Sequence, residues 1–179
     1  VTPRLGKPIE VNALWYNALR TIARFAFALN KPTEDYTHLA ERVQASFGRF
    51  WNAGAGCCFD VLDTGTGDDA SVRPNQIFAV SLPESPLTSA QRAAVVDVCA
   101  RRLVTLHGLR TLDPADPRYC GGYGGSPEDR DAAYHQGTVW AWLLGPFVLA
   151  HLRVYGDPES ASSFLEPMAH QILAQGLGS

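Results

Sequence analysis

The sequence has little that would commit it to redox, membrane or nucleic-acid work. Its four cysteines, Cys57, Cys58, Cys99 and Cys120, lack C-x-x-C spacing and are too few for a disulfide scaffold. Reduced thiols in a cytoplasmic protein are therefore expected. No apolar run reaches the roughly 18 residues of a membrane helix; the longest, 138–152, is interrupted by Pro146. Arg4 and Lys7 precede no stretch of leucines and alanines, so no secretory leader is expected. A net charge of −3 without a basic run argues against a nucleic-acid partner. Serine and cysteine nucleophile motifs are missing. The stretch GTGDD (65–69) has neither the lysine of a phosphate loop nor the spacing of a dinucleotide fingerprint, so its glycines signal a turn. No metal and no cofactor is expected.

What remains is an ordinary globular composition of 179 residues, enough for one domain. The first residue is Val1 rather than methionine, which reads as a piece of something longer. Apolar residues at 11, 14, 15, 18, 22, 25, 26 and 29 keep helical spacing between Pro8 and Asn30-Lys31-Pro32. Tyr36, Leu39, Ala40, Val43, Phe47, Phe50 and Trp51 repeat the pattern with charge on the opposite side. PNQIFAVSL (74–82) predicts a short buried helix started by proline. Thr88 and Gln91 form a capping box for a fourth helix, whose stripe runs through Val95, Val98, Cys99, Leu103 and Leu106. A fifth helix, 137–155, is apolar nearly all round, and a sixth carries Phe164, Leu165, Met168, Ile172 and Leu173.

Short links join these helices in pairs, whereas 52–73 and 107–136 are long. If successive helices alternate direction, both long links emerge on one face. Helices that are apolar all round alternate with two-faced ones, so inner and outer layers are expected. The reading is an all-α domain, six helices forming about half of an (α/α)6 barrel; no solenoid-length repeat is visible.

On the long-loop face the sequence places Glu10 and Asn12, then Arg73, Asn75 and Gln76, then Tyr134, His135, Gln136 and Trp140. Amides, a guanidinium, an imidazole and aromatic planes suit a neutral polyhydroxylated ligand in a concave site. Each has a plainer reading. Trp15, Trp51 and Trp142 keep core spacing, His135 and Gln136 could cap free helix N–H groups, and Arg73 could pair with Asp68 or Asp69. His38, His107, His151 and His170 read as structural. No carboxylate announces itself as an acid or base; Asp60 and Asp63 look like turn formers.

The blocks GKPIEVNALWYNALR (6–20), RPNQIFAVSLP (73–83) and YHQGTVWAWLLGPF (134–147) resemble, in order, the C-terminal catalytic domain of glycogen debranching enzymes. These are amylo-α-1,6-glucosidases related to glucoamylases. The resemblance implies a twelve-helix barrel and hydrolysis of the α-1,6-linked glucose at a glycogen branch, with branched α-glucan as partner. It also implies inversion, with an acid and a base held roughly 6.5 to 9.5 Å apart. In the family the acid precedes the segment matching residue 2 and the base follows the segment matching residue 179, so both are expected outside this sequence. Glu10, Asn12, Arg73, Asp131, His135, Gln136 and Trp140 are then expected to wall the glucose pocket. A non-catalytic carbohydrate-binding or scaffold module stays open as the alternative. A terpenoid-cyclase-like toroid lacks its D-D-x-x-D motif here. Half a ring would leave apolar helix flanks uncovered, so self-association or contact with the rest of a parent chain is expected.

Overall fold

Where the apolar spacing is long, helices form as the sequence predicts. The structure, a computed structural model, describes residues 4–176. After a two-residue strand β1 (Lys7–Pro8), helix α1 runs Ile9–Ala28 and stops before Asn30, whose φ of 51° is left-handed. Helix α2 (Glu34–Phe47) packs against it. A 3-10 turn at Pro74–Ile77 leads into the short α3 (Phe78–Ser81), which touches α1 and the later helix Leu144–Tyr155. Ile77, Ala79 and Val80 there are buried, as expected for that segment.

Helix α1 buries only part of its apolar surface. Ile9, Ala13, Tyr16, Leu19 and Ala26 are buried, whereas Val11, Leu14, Trp15, Ile22, Phe25 and Leu29 are exposed. Trp15, half exposed at 50%, is therefore not core among the described residues.

The two long links are not plain loops, and the all-α expectation needs correcting. Between α2 and α3 lie β2 (Trp51–Asn52), β3 (Cys57–Cys58), β4 (Val61–Thr64) and β5 (Gly67–Asp69). Strand β4 sits between β1 and β5, so the first link is stitched to the start of α1; β2 pairs with β3. Helix α4 (Ser89–Arg102) carries the expected box: Gln91 N–H donates to Thr88 Oγ1 at 3.3 Å, and Thr88 N–H donates to Gln91 Oε1 at 3.0 Å. It ends earlier than the stripe suggests. Leu103 is buried, but Leu106 is 66% exposed at the tip of a hairpin formed by β6 (Val104–Thr105) and β7 (Gly108–Arg110). The second link also holds α5 (Pro127–Ala133).

The expected fifth helix starts later than its apolar run, because the first part of that run is strand. Strand β8 (Val139–Trp140) pairs antiparallel with β7, setting Leu109 opposite Trp140. A 3-10 turn at Ala141–Leu143 then opens α6 (Leu144–Tyr155). Leu144, Phe147 and Ala150 are buried while Leu149 and Tyr155 are exposed, so α6 is two-faced rather than enclosed. The sixth helix is broken in two, α7 (Pro158–Ser163) and α8 (Glu166–Gln175), with Phe164 in the gap packed edge-on to Phe147 at 5.0 Å. One core cluster joins α1, α3, α4 and α6 to the strands through Ile9, Leu62, Ile77, Val95, Leu109 and Phe147. No described helix is long and apolar enough to cross a membrane.

Candidate functional site

A cavity of about 330 Å³ opens where the two long links meet the start of α1. Arg4, Arg73, Pro74, Asn75, Thr111, Tyr134, His135, Trp140, Trp142 and Leu143 line it. Its size lies within the range of small-molecule sites, and its mixture of rings with a few polar groups is typical of them.

Arg73 is the anchor of the floor, only 4% exposed. Its guanidinium donates to the carbonyl of Thr111 at 3.1 Å, to the carbonyl of His135, and to Gln136 Oε1 at 2.8 Å. Those donors are spent on protein. The arginine thus holds the 134–137 turn against the cavity wall instead of reserving its fork for a ligand. Its ion-pair partner among the described residues is Asp60, with Oδ2 3.7 Å from Nε, rather than the expected Asp68 or Asp69. Burial draws the Arg73 pKa down while Asp60 and Asp69 oppose it.

The 134–137 turn is held from the other side by Thr111, whose Oγ1 accepts the Gly137 N–H at 2.9 Å. Gly137 has a φ of +142°, and a Cβ there would meet the Cys120 carbonyl oxygen at 2.6 Å, so only glycine fits this close approach. His135 is half buried, with its ring edge-on to Tyr134 at 4.8 Å. Burial first, then the Arg73 charge, hold its pKa below the usual value, with the Asp131 charge pulling the other way. The imidazole is therefore neutral at pH 7, keeping one donor and one acceptor nitrogen.

Trp140 is positioned by the strand pairing that displaced the expected helix. Its indole N–H donates to the Tyr134 carbonyl at 3.2 Å, and its ring lies 4.6 Å from the Tyr134 ring. Tyr123 meets both rings edge-on, at 6.2 and 6.4 Å, extending the aromatic rim. Trp142, which helical spacing assigned to the core, is 61% exposed and stacked on Phe78 at the cavity. A 3-10 turn rather than a helix precedes α6, which swings this side chain outward.

Of the seven sequence-derived site residues, Arg73, His135 and Trp140 line the cavity. Glu10 and Gln136 stand behind it. Glu10 binds Arg4 through both oxygens, Nη2 lying 2.9 Å from Oε2, and Gln136 accepts from Arg73. Asn12 is turned back on its own helix start, donating to the Pro8 carbonyl at 2.8 Å. Asp131 is exposed on α5, near enough for its charge to reach His135. Sequence reasoning misses Arg4, Thr111 and Asp60. Asp60, which looks like a turn former, is 3% exposed and accepts from Arg4 and Asn75. Its one legible signal is an acid set between Phe59 and Val61.

A family model described as amylo-alpha-1,6-glucosidase matches residues 1–177. The chain is 27% identical, over 187 aligned residues, to the glycogen debranching enzyme of Saccharomyces cerevisiae, covering 83% of this chain and 12% of that enzyme. Among solved structures it is similar to the GH63 mannosylglycerate hydrolase of Thermus thermophilus in complex with glucose. There the TM-score is 0.72 at 17% identity, covering 94% of this chain and 38% of that one. An uncharacterized conserved protein of the same organism matches with a TM-score of 0.72 at 17% identity, over 95% of this chain and 39% of its own. At such identity the likeness is one of fold. The chain spans less than half the length of each of these relatives.

Proposed function

The chain belongs to the amylo-alpha-1,6-glucosidase family, and from that premise we propose that its cavity is one wall of the glucose pocket of a glycogen-debranching α-1,6-glucosidase. The family makes this a glycoside hydrolase domain. We read the bond cleaved as the α-1,6 linkage of the family's description, at a branch of the glycogen in the yeast relative's name, and take the site of action to be the cytoplasm.

The observation that carries the mechanism is the composition of the lining: among the described residues it holds two guanidinium groups, an amide, an imidazole and three large aromatics, and no carboxylate. Such a wall orients a sugar but cannot both protonate a glycosidic oxygen and activate water. Glu10 and Asp60, two acids behind the wall, are engaged with Arg4. We therefore assign the acid and base to residues outside 1–179, with inversion of configuration. Trp140 and Tyr134 offer ring faces to the apolar side of a glucosyl unit, and neutral His135 and Asn75 offer hydrogen bonds to its hydroxyls.

In this reading α1, α3 and α6 form an inner row and α2, α4, α7 and α8 an outer one, about half of an (α/α)6 ring; the contacts of α3 with both α1 and α6 support it. The exposed row on α1 is then the flank that further helices or a second copy would cover.

The test is glucose release from a branched limit dextrin. Residues 1–179 alone are expected to release none, and the same residues joined to the rest of their ring are expected to turn over. Release above the buffer blank by 1–179 alone would show that the proton-transfer groups lie within the chain. The same lining also suits a non-catalytic carbohydrate-binding module, which predicts maltose binding with no glucose release from any longer form.

A further inference from the structure

Asp60 is the most buried ionisable group beside the cavity that does not itself line it. Its backbone is fixed on both sides: its N–H donates to the Asp69 carbonyl at 2.8 Å, and its carbonyl accepts the Ile9 N–H at 3.0 Å. The carboxylate is held equally firmly. Oδ1 accepts from Arg4 Nη2 at 3.1 Å and from Asn75 Nδ2 at 2.8 Å, Oδ2 accepts from Arg4 Nε at 3.0 Å, and Arg73 Nε stands 3.7 Å from Oδ2. One buried acid therefore contacts three polar residues of the lining.

For Asn75 this has a definite chemical result. The two ends of an amide are alike in shape, but a carboxylate only accepts hydrogen bonds, so it captures the NH2 end. The carbonyl Oδ1 is left as the end a ligand meets. Without Asp60 the amide could turn either way, and the cavity would offer a donor as readily as an acceptor. A ligand hydroxyl that donates at this point would lose its fixed partner.

We propose that Asp60 is a positioning residue that sets the donor and acceptor polarity of the cavity by holding Asn75 with its oxygen toward the ligand. The sugar part of this proposal rests on the function proposed above; the orientation of Asn75 does not.

Two measurements on the full chain separate them. First, the side-chain amide of Asn75, identified in a nitrogen-15 spectrum by its disappearance in Asn75→Ala, is followed by hydrogen exchange. In the wild type it should exchange at least about tenfold more slowly than the amide of the exposed Asn30, the protection expected of a buried hydrogen bond. In Asp60→Asn that protection should fall by about the same factor. An Asn75 amide that exchanges like Asn30 in the wild type overturns the proposal, a result that needs no variant to fold.

Second, isomaltose affinity is measured by calorimetry for Asp60→Asn, Asn75→Ala and the double variant. Each single change should weaken binding about tenfold, and the double variant should be no weaker than Asn75→Ala, because Asp60 acts through Asn75. Additive losses would mean that Asp60 acts through general stability, and would overturn the positioning role. A wild type with no affinity for the sugar sinks the sugar reading alone, and amide exchange then decides the role of Asp60.

Discussion

His135 shows how burial turns an ordinary side chain into a pH-dependent one. Its pKa lies below 6.5 because desolvation and Arg73 disfavour the imidazolium. The unfolded chain then binds more protons than the folded one just below 6.5, so stability from this group is present above that value and is lost as pH falls through the lowered folded pKa. On the proposed function, sugar binding is expected to follow the same direction, because protonation removes the acceptor nitrogen. Affinity for isomaltose is expected to be flat from pH 7 to 8 and to decline on acidification, and His135→Gln should flatten that decline; an unchanged acid limb in the variant would assign it elsewhere. His135, Arg73 and Trp140 were legible because they stand beside turn signals at the ends of apolar runs. Asp60 and Trp142 were not. A lone acid a few residues ahead of the glycine-rich GTGDD looks like part of a turn, and a tryptophan in helical register looks like core until the local backbone is known.

At the scale of elements, long helices were readable and short strands were not. The period of α4 and its capping box are set by side chains a few residues apart, so Thr88 and Gln91 suffice to locate its start. Thr88→Ala should cost about 1 kcal/mol, lowering Tm by roughly 2 to 4 °C without changing sugar affinity. A pairing such as β7 with β8 joins residues far apart in the chain through strands of two or three residues, too short to show an alternation. Gly108 is the exception that chemistry explains: its φ is +153°, and a Cβ would stand 2.4 Å from the Trp140 carbonyl oxygen. Gly108→Ala should therefore push β8 away, destabilise by more than about 1 kcal/mol and weaken sugar binding, unlike Thr88→Ala. Equal sugar affinity in the two variants, measured by calorimetry, would show that the β7–β8 pairing does not place Trp140.

At the scale of the whole molecule, the long links and the exposed face of α1 matter most. Residues from the first link, the second link and the segment before α1 converge on one cavity, as the placing of both links on one face predicts. The exposed row Val11, Trp15, Ile22, Phe25 and Leu29 has no counterpart among the described residues to cover it. An apolar row of this kind drives association. Sedimentation of residues 1–179 should accordingly show concentration-dependent self-association, and a monomer at high concentration would argue that the row is tolerated. A cavity that holds a glucosyl unit against Trp140 has to bind the free sugar, and calorimetric titration with isomaltose is the decisive measurement. The wild-type chain should bind, Trp140→Ala should bind at least about tenfold more weakly, and Thr88→Ala should bind as the wild type does. Equal affinity in the wild type and Trp140→Ala, or no binding by any of the three, would contradict it.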